Sequence, residues 1–444
     1  MFKKKWVRRL FIVIGVIAAI YLVLFVANVL VNVSLRNYIK SFEPVEYGED
    51  RIVPTVEDGH VTLTTDRELR IMHITDVHIG GGLFTYKNDK KTIYELITML
   101  QKEKPDFVIS TGDNTYCVIP LGFHGGGTFN NMMVAKTFIT IFDHEQVYFD
   151  TVFGNHDTES MDYANRQKVG NLYQSGYSDY CVFKQEFTDL NSDTVPSVTN
   201  QFIKVKKSNG DITKLLLLID SNAYEDTNFF TAVFGKYDVI HEAQVEWAAD
   251  TIKELSKEAG LPEGEYIETL AFMHIPVGEY RTALDELITE IKDEKGNITG
   301  FVQNDNPQNT EFIEGEWGEE KVCYGGLSQK DVKPEDLDNF FEVLCEDMGA
   351  VDAIFCGHDH TNNAVVKYKG ILLDYGYSLD NEAYGKGIMK SGRQRGATVI
   401  TINPDGSYNQ VHKNAYKDYG VSMDKFEDVD LDFLLYPDMF RTVK

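Results

Sequence analysis

Five short blocks of polar residues could give this sequence its chemistry. They are Thr75-Asp76-Val77-His78, Gly112-Asp113-Asn114, Gly154-Asn155-His156-Asp157, Met273-His274 and Gly357-His358-Asp359-His360. Carboxylates, imidazoles and an amide together suit ions such as Mn, Fe or Zn better than Ca or Mg alone. The blocks therefore indicate a metal site, provided that the fold brings them together.

Each block has a simpler interpretation when it is taken alone. Asp76 and His78 could lie in a solvated loop, Gly112-Asp113 is a common turn signal, and His274 could be a histidine of the core. All five blocks in this order, each closing a predicted strand, are hard to explain in that way. We therefore interpret them as one constellation.

Strand and helix patterns alternate along the chain and place the blocks at equivalent positions. A strand over 69–75, an amphipathic helix around 93–100 and a strand over 107–110 predict a βαβ unit with parallel strands. Further strands are predicted over 147–153, 215–220, 269–273, 351–356, 371–375 and 397–402, and further helices over 132–142, 242–257 and 334–348. Ligands of open α/β sheets bind outside the carboxyl ends of the strands, so the blocks should converge there.

Two other features of the blocks and their connections carry expectations. Gly112, Gly154 and Gly357 should let the backbone turn sharply where each strand delivers its ligand. The segment 297–326, rich in Gly, Asn and Asp, is expected to be a surface insertion.

The N-terminus carries a long apolar run. Five lysines and arginines within residues 3–9 precede the run over 10–35, which Asn28 and Asn32 interrupt mildly. Roughly 22 apolar residues rise about 33 Å as a helix, which matches the roughly 30 Å core of a bilayer. A cleaved signal peptide is the rival interpretation, but the run is long for one and no clear cleavage site follows. We expect a single-pass anchor in the cell membrane, with the N-terminus cytoplasmic and everything downstream extracytoplasmic.

Composition limits the classes of partner. The formal net charge is −26, which disfavours long-range attraction to DNA or RNA, so no nucleic-acid partner is expected. A phosphate would need a local positive centre, which metal ions would supply. The five cysteines are scattered and show no spacing typical of a metal or redox site, so a disulfide framework is not expected.

The five blocks resemble those of the calcineurin-like metallophosphoesterase superfamily over roughly residues 67–413. The purple acid phosphatase-like subgroup is the most similar, through the runs His274-Ile275-Pro276, Gly357-His358-Asp359-His360-Thr361-Asn362 and Ala383-Tyr384-Gly385-Lys386. The resemblance implies an α/β fold, a four-layer α/β/β/α sandwich of two mixed sheets. We expect a basic segment 1–9, a transmembrane helix 10–35, a linker with a first strand 36–66, the phosphoesterase domain 67–413 and an extension 414–444.

The resemblance also implies a role for each residue of the site. It implies two metal ions and no organic cofactor, with a hydroxide between the ions attacking a phosphate ester. The ligands would be Asp76, His78 and His360 for one ion, Asn155, His274 and His358 for the other, and Asp113 as the bridge. His156 matches the general acid that protonates the leaving oxygen. The implied activity is that of a phosphatase or phosphodiesterase.

One departure from the subgroup concerns Tyr116. Purple acid phosphatases bind ferric iron through the tyrosine of a Gly-Asp-x-x-Tyr block and lack the histidine of Asp-x-His. This sequence has both His78 and Tyr116. We expect His78 to fill the ligand position and Tyr116 to pack or hydrogen-bond nearby, which leaves the identity of the metal open.

Substrate contacts and the activity itself allow alternatives. Asn114 could bind a phosphate oxygen, and Arg393 and Arg395 could clamp a phosphate or be surface charges that pair with acidic groups. The alternative function is a catalytically silent surface protein that binds or senses a ligand. Its mark would be a missing ligand or a replaced His156, and the sequence shows neither. The physiological substrate and the oligomeric state stay open.

Overall fold

The computed structural model describes residues 2–117, 127–158, 162–188, 197–224, 237–295, 298–315, 339–382, 392 and 394–422. The helices in these ranges are α1 (Phe2–Ile39), α2 (Tyr86–Glu103), α3 (Asn131–Glu145), α4 (Arg166–Gln174), α5 (Glu242–Glu258) and α6 (Glu279–Leu287), with a π-helical segment at Phe341–Asp347. The strands are β1 (Thr55–Glu57), β2 (His60–Thr64), β3 (Leu69–Ile74), β4 (Phe107–Ser110), β5 (Phe149–Thr151), β6 (Gln201–Lys206), β7 (Ile212–Leu218), β8 (Thr269–Phe272), β9 (Ile288–Lys292), β10 (Ile298–Gln303), β11 (Thr310–Glu314), β12 (Val351–Cys356), β13 (Val365–Tyr368), β14 (Ile371–Tyr375), β15 (Gly396–Ile402) and β16 (Tyr408–Asn414).

Two mixed sheets form the centre of the fold. The larger has nine strands in the order β1-β2-β6-β7-β8-β12-β14-β13-β11, and the smaller has five in the order β16-β15-β3-β4-β5. Strands β3, β4 and β5 are parallel, and so are β7, β8, β12 and β14, whereas β13 pairs with β14 and β15 pairs with β3 in the antiparallel sense. Parallel neighbours within each sheet bring the carboxyl ends of the central strands to one edge.

Alternation along the strands divides the core into three apolar layers. Leu216 and Leu218 of β7 face the smaller sheet. The alternate residues Leu215 and Leu217 face α5 and α6. The smaller sheet behaves in the same way, since one face packs on the larger sheet and the other on α2 and α3. Alternate side chains of each strand point to opposite faces of its sheet, and both faces are buried. One face packs against the other sheet, so the opposite face must be covered by helices. The expected α/β/β/α sandwich is confirmed.

The predicted elements agree with the structure where the local pattern is strong. β4, β12 and β14 have the predicted bounds, and β3 and β4 are parallel and joined by α2, as the βαβ pattern predicts. The helix predicted over 334–348 is a π-helical segment at Phe341–Asp347, and its first residues lie outside the described ranges. Within the expected surface insertion over 297–326, β11 is an edge strand of the larger sheet that pairs with β13, and residues 297 and 316–326 lie outside the described ranges.

Helix α1 continues beyond the expected end of the anchor. The stretch Trp6–Ile39 is long and apolar enough to cross a membrane, with a mean hydropathy of 3.1 in its most apolar window. Residues 6–26 are exposed, but Val31, Leu35 and Ile39, spaced four residues apart, are buried in the core formed with α2 and α3. Four-residue spacing places these side chains on one face of the helix. The last third of α1 therefore packs within the globular part of the chain.

Candidate metal centre

Seven candidate ligands follow the carboxyl ends of five strands. Asp76 and His78 follow β3, and Asp113, Asn155 and His274 follow β4, β5 and β8. His358 and His360 follow β12. Every one of the seven side chains is at most 8% exposed. Polar groups at this depth need partners, and the structure places them around one another.

The first group of donor atoms comes from Asp76, His78, Asp113 and His360. One ligand atom from each of these four residues lies within 4.8 Å of the others. Nε2 of His78 is 3.2 Å from Oδ2 of Asp113, and Nε2 of His360 is 3.0 Å from Oδ1 of Asp76. Two imidazoles and two carboxylates at this spacing can surround one cation.

The second group shares Asp113 with the first and adds His274 and His358, whose ligand atoms also lie within 4.8 Å of one another. Nε2 of His274 is 3.3 Å from Oδ2 of Asp113 and 3.3 Å from Oδ1 of Asn155. Nδ1 of His274 donates to the carbonyl of Thr111 at 2.8 Å, which directs Nε2 into the site as the atom that could bind a metal ion. The same oxygen of Asp113 thus lies between His78 and His274.

Burial alone would lower the pKa values of His78, His274 and His360, but the neighbouring carboxylates raise them, whereas His358 differs from these three. Nε2 of His358 is buried and has no hydrogen-bond partner among the described residues. Burial and the neighbouring His274 lower the pKa of His358 to about 3, so its imidazole is neutral and can act as a ligand. Burial alone would raise the pKa of Asp113, but His274 and His156 hold it well below its ordinary value. These residues can hold two metal ions.

Four of the ligand positions have a strained backbone. Asp76, His78, Asp113 and His358 have φ angles of 51°, 52°, 50° and 75°. Residues other than glycine avoid this left-handed region, and each such position costs on the order of 1–3 kcal/mol. Strain of this kind concentrates at functional sites, where the surrounding structure holds it in place.

The three glycines beside the ligands serve two different purposes. Gly112 has a φ of +95°, as expected for a sharp turn. Gly154 and Gly357 are not left-handed, so the turn expectation is wrong for them. A Cβ on Gly154 would overlap the carboxylate of Asp113, and one on Gly357 would overlap the hydroxyl of Thr75. At these two positions glycine is needed for close packing around the ligands.

Asp380 is a functional residue that the sequence analysis missed. Its two carboxylate oxygens lie 3.2 Å from Nδ1 of His78 and 3.2 Å from Nδ1 of His360, and the side chain is fully buried. Burial alone would raise the pKa of Asp380, but the two histidines hold it well below its ordinary value. A carboxylate behind a ligand imidazole orients the ring and increases its basicity. Asp380 therefore aims Nε2 of both histidines at the first metal position.

A buried ion pair braces the loop that carries Asn155 and His156. Arg166 contacts Asp220 through Nε at 2.9 Å and through Nη2, and it donates to the carbonyls of Phe153 and Gly154 at 2.8 and 2.9 Å. Arg166 is the first residue of α4, and no sequence pattern marked it. Its four contacts fix the backbone immediately before Asn155.

His156 and Tyr116 lie together at the mouth of the site. The backbone N–H of His156 donates to Oδ1 of Asp113 at 2.7 Å, and its partly exposed ring is 5.3 Å from that of His78. The ring of Tyr116 stacks on His78, in the packing arrangement expected from the sequence, and also lies 4.9 Å from His156. A histidine in this position can exchange a proton with a group bound at the metals.

Two tyrosines form a wall beside the second group. The hydroxyl of Tyr224 accepts from Nδ2 of Asn155 at 3.2 Å, which turns the amide oxygen of Asn155 towards His274. Tyr237 makes an edge contact with His358, with ring centroids 4.6 Å apart, and stacks on Tyr224. Both tyrosines are partly exposed and can therefore contact a substrate.

The predicted substrate contacts have other positions in the structure. The amide of Asn114 is fully buried, accepts from Ser110 at 2.5 Å and donates to Thr151 at 2.9 Å, so both of its ends are engaged beneath the site. Arg395 is buried, which excludes the surface-charge interpretation, and its Nε donates to the carbonyl of Asp380 at 3.2 Å. Arg393 lies outside the described residues.

Comparison with known proteins finds relatives of low sequence identity. Probable inactive purple acid phosphatase 29 of Arabidopsis thaliana is 23% identical over 374 residues, covering 79% of this chain and 81% of that protein. Probable inactive purple acid phosphatase 14 of the same plant is 27% identical over 349 residues, covering 72% and 73%. Phosphatase DCR2 of Saccharomyces cerevisiae is 24% identical over 333 residues, which cover 72% of this chain and 47% of that protein.

A family model supplies the broader assignment. The calcineurin-like phosphoesterase model matches residues 69–362, which include all seven candidate ligands and His156. The matched region is more than half of the chain. The resemblance inferred from the five polar blocks is therefore confirmed, and the chain belongs to the calcineurin-like phosphoesterase family.

Proposed function

We propose that this protein hydrolyses phosphate esters at a site that holds two ions of Mn, Fe or Zn. The observation that carries the proposal is the position of Asp113, whose Oδ2 lies 3.2 Å from Nε2 of His78 and 3.3 Å from Nε2 of His274. One carboxylate oxygen that faces both ligand groups could serve two cations about 3.5–4 Å apart, which is the spacing of two-metal hydrolytic sites.

The residues of the chain have separate tasks in this reaction. Asp76, His78 and His360 would hold one ion, Asn155, His274 and His358 would hold the other, and Asp113 would contribute a carboxylate to both. When bound, the two ions polarise the phosphate and promote ionisation of the attacking water. His156, at the mouth of the site, donates a proton to the leaving oxygen.

The alternative is a catalytically silent protein that binds a ligand in the same site. One observation favours it, because two relatives carry names that describe them as probable inactive purple acid phosphatases. Against it stand the full set of seven ligand residues and the presence of His156 in this chain. Loss of catalysis with retention of the fold would be expected to remove at least one of them.

We further propose that α1 anchors the protein in the cell membrane. Its most apolar window is exposed throughout, which suits contact with lipid, and basic residues precede it. The excess of Lys and Arg before the span supports a cytoplasmic N-terminus and an extracytoplasmic phosphoesterase domain.

The test uses the full chain in detergent, loaded with Mn or Fe. Turnover is measured on p-nitrophenyl phosphate, on bis-(p-nitrophenyl) phosphate and on DNA, and metal content is measured in parallel. We expect ester hydrolysis, and His156→Ala should lower turnover by roughly 10²–10⁴-fold with the metal content unchanged. The control His60→Ala removes a partly buried histidine on β2 and should leave turnover unchanged. Two bound metal ions without turnover on any substrate would support the silent alternative.

A further inference from the structure

Helix α1 is bonded directly to the loop that follows the metal ligand His78. Nδ2 of Asn32 donates to the carbonyl of Gly81 at 2.7 Å, and the backbone N–H of Leu83 donates to Oδ1 of Asn28 at 3.0 Å. These two asparagines are the polar interruptions of the apolar run. Their bonds join α1 to the loop that follows His78, so the helix is part of the packed domain in addition to being a membrane anchor.

The length of α1 sets the level of the membrane relative to this loop. Residues 6–26 are exposed, and burial against the domain begins with Asn28. Twenty-one helical residues rise about 32 Å, which is close to the thickness of the bilayer core of roughly 30 Å. The exposed span therefore ends near Asn28, to which Leu83 is bonded, and Tyr21 lies about 10 Å nearer the middle of that span.

Two loops beside the end of this span present apolar or aromatic side chains to solvent. Leu83 and Phe84 are 49% and 68% exposed, and Tyr163 is 72% exposed. The backbone N–H of Tyr163 donates to the carbonyl of Phe129 at 2.9 Å, and the ring of Phe129 contacts Tyr21 of α1 with centroids 6.3 Å apart. Aromatic residues beside a membrane helix are typical of the lipid–water interface.

The same loops are continuous with the metal centre. Leu83 is five residues after His78, which limits the distance between their Cα atoms to about 18 Å. Nδ2 of Asn131 donates to the carbonyls of Asp157 and Ala164 at 3.2 and 2.8 Å, which ties the loop of Tyr163 to the residue after His156. The metal ligand His78 is thus within about 18 Å of Leu83, which is bonded to α1 at the end of the exposed span.

We propose that Leu83, Phe84, Phe129 and Tyr163 form a membrane-contact surface that directs the site to phosphate esters in the head groups of membrane lipids. This inference rests on the proposed function and on the anchoring of α1. Continuity with α1 selects a bilayer as the partner, since a protein partner would have to compete with lipid for the same face.

Membrane contact is tested first without any activity assay. The full chain carrying Trp6→Phe, which removes a tryptophan from α1, is reconstituted into phosphatidylcholine vesicles that contain phosphatidic acid. We expect a tryptophan introduced by Phe84→Trp to emit at shorter wavelength and to be quenched by brominated phosphatidylcholine. The matched control is Val56→Trp, at a position 63% exposed on the edge strand β1, and its emission should not be quenched. Equal emission and quenching at the two positions would overturn the contact surface.

The substrate class is tested by comparing a soluble and a membrane-borne ester. The triple variant Leu83→Ser, Phe84→Ser and Tyr163→Ser should hydrolyse p-nitrophenyl phosphate as the unchanged protein does. Its hydrolysis of phosphatidic acid in vesicles should fall about tenfold or more, because the site is no longer held at the interface. The control Val56→Ser should leave both rates unchanged.

Two results of the kinetic test separate the claims. Hydrolysis of the soluble ester by the unchanged protein, with none of phosphatidic acid, would overturn the inferred substrate class and leave the proposed function intact. Hydrolysis of neither ester would overturn the inferred substrate class, and the further absence of turnover on bis-(p-nitrophenyl) phosphate would contradict the proposed function as well. The fluorescence result would still decide whether the surface contacts the bilayer.

Discussion

The ring of Tyr116 stacks on the imidazole of His78, with centroids 4.7 Å apart and planes inclined by 19°. This contact uses the face of the tyrosine ring, and His78 supplies the donor atom to the first metal group. We therefore predict that iron-loaded protein lacks the intense visible absorption band of an iron–tyrosinate bond. Tyr116→Phe should retain two metal ions and an unchanged visible spectrum. A strong band that disappears in Tyr116→Phe would show that Tyr116 is a ligand.

Asp380 should control the affinity of the first metal position. Asp380→Asn keeps the shape of the side chain but removes the charge and one of the two acceptors that face His78 and His360. We expect the affinity for one metal ion to fall about 10–100-fold, measured by competition with a chelator.

The matched control for this change is Asp374→Asn. Asp374 is equally buried and lies 2.8 Å from Nε2 of His412, so the substitution disturbs a comparable carboxylate–imidazole pair that contributes no candidate ligand. Metal affinity should be unaffected by the control. An unchanged affinity in Asp380→Asn would contradict the role assigned to Asp380.

The ion pair of Arg166 and Asp220 should matter for stability. Arg166→Met leaves the carboxylate of Asp220 buried without its cation, and we expect the free energy of unfolding to fall by about 3–5 kcal/mol in a urea titration. The double variant with Asp220→Asn should recover part of that loss. Lys253→Met removes an exposed ion pair with Asp250 and should change stability far less. A loss of unfolding free energy in Lys253→Met as large as that in Arg166→Met would contradict this account.

Asp150 should make the stability of the protein depend on pH. Burial raises the pKa of Asp150 to about 8, whereas an aspartate in the unfolded chain titrates near pH 4. Between these values the folded protein retains a proton that the unfolded chain has lost, so stability falls as pH rises, by about 1.4 kcal/mol per pH unit.

The comparison with Asp150→Asn isolates this single group. The amide oxygen can still accept from Gln201 and from the backbone of Thr151, and the variant has no proton to lose. From pH 5 to 7, the unfolding free energy of Asp150→Asn should rise steadily relative to that of the unchanged protein. A difference that is independent of pH would mean that Asp150 is ionised in the folded state.

The ligand-bearing strands are predictable because each has a local signature. An apolar run followed by a polar block specifies where a strand ends, and β4 and β12 end at the residues predicted. Asp113 and His358 then follow from their position after these strands. The convergence of the blocks also follows, since parallel strands present their carboxyl ends at one edge of a sheet.

The supporting residues are not predictable in this way. Asp380 lies in a loop after β14, and Arg166 begins a short helix, so neither closes a strand. Each acquires its role from a contact with a residue that is distant in the sequence. The burial of Leu35 also depends on distant contacts. It is not predictable from the sequence, because an apolar helix has the same hydrophobic pattern whether it packs against lipid or against protein. Asn28 and Asn32 were the local sign that α1 meets the domain.

The central claim is that Asp113 is shared by two metal ions, and the metal content of Asp113→Ala tests it most directly. Metal per protein is measured by atomic emission after loading with Mn and removal of excess ion. We predict two ions per chain in the unchanged protein and none in Asp113→Ala, with both proteins folded by circular dichroism. Two ions retained in Asp113→Ala would contradict the account.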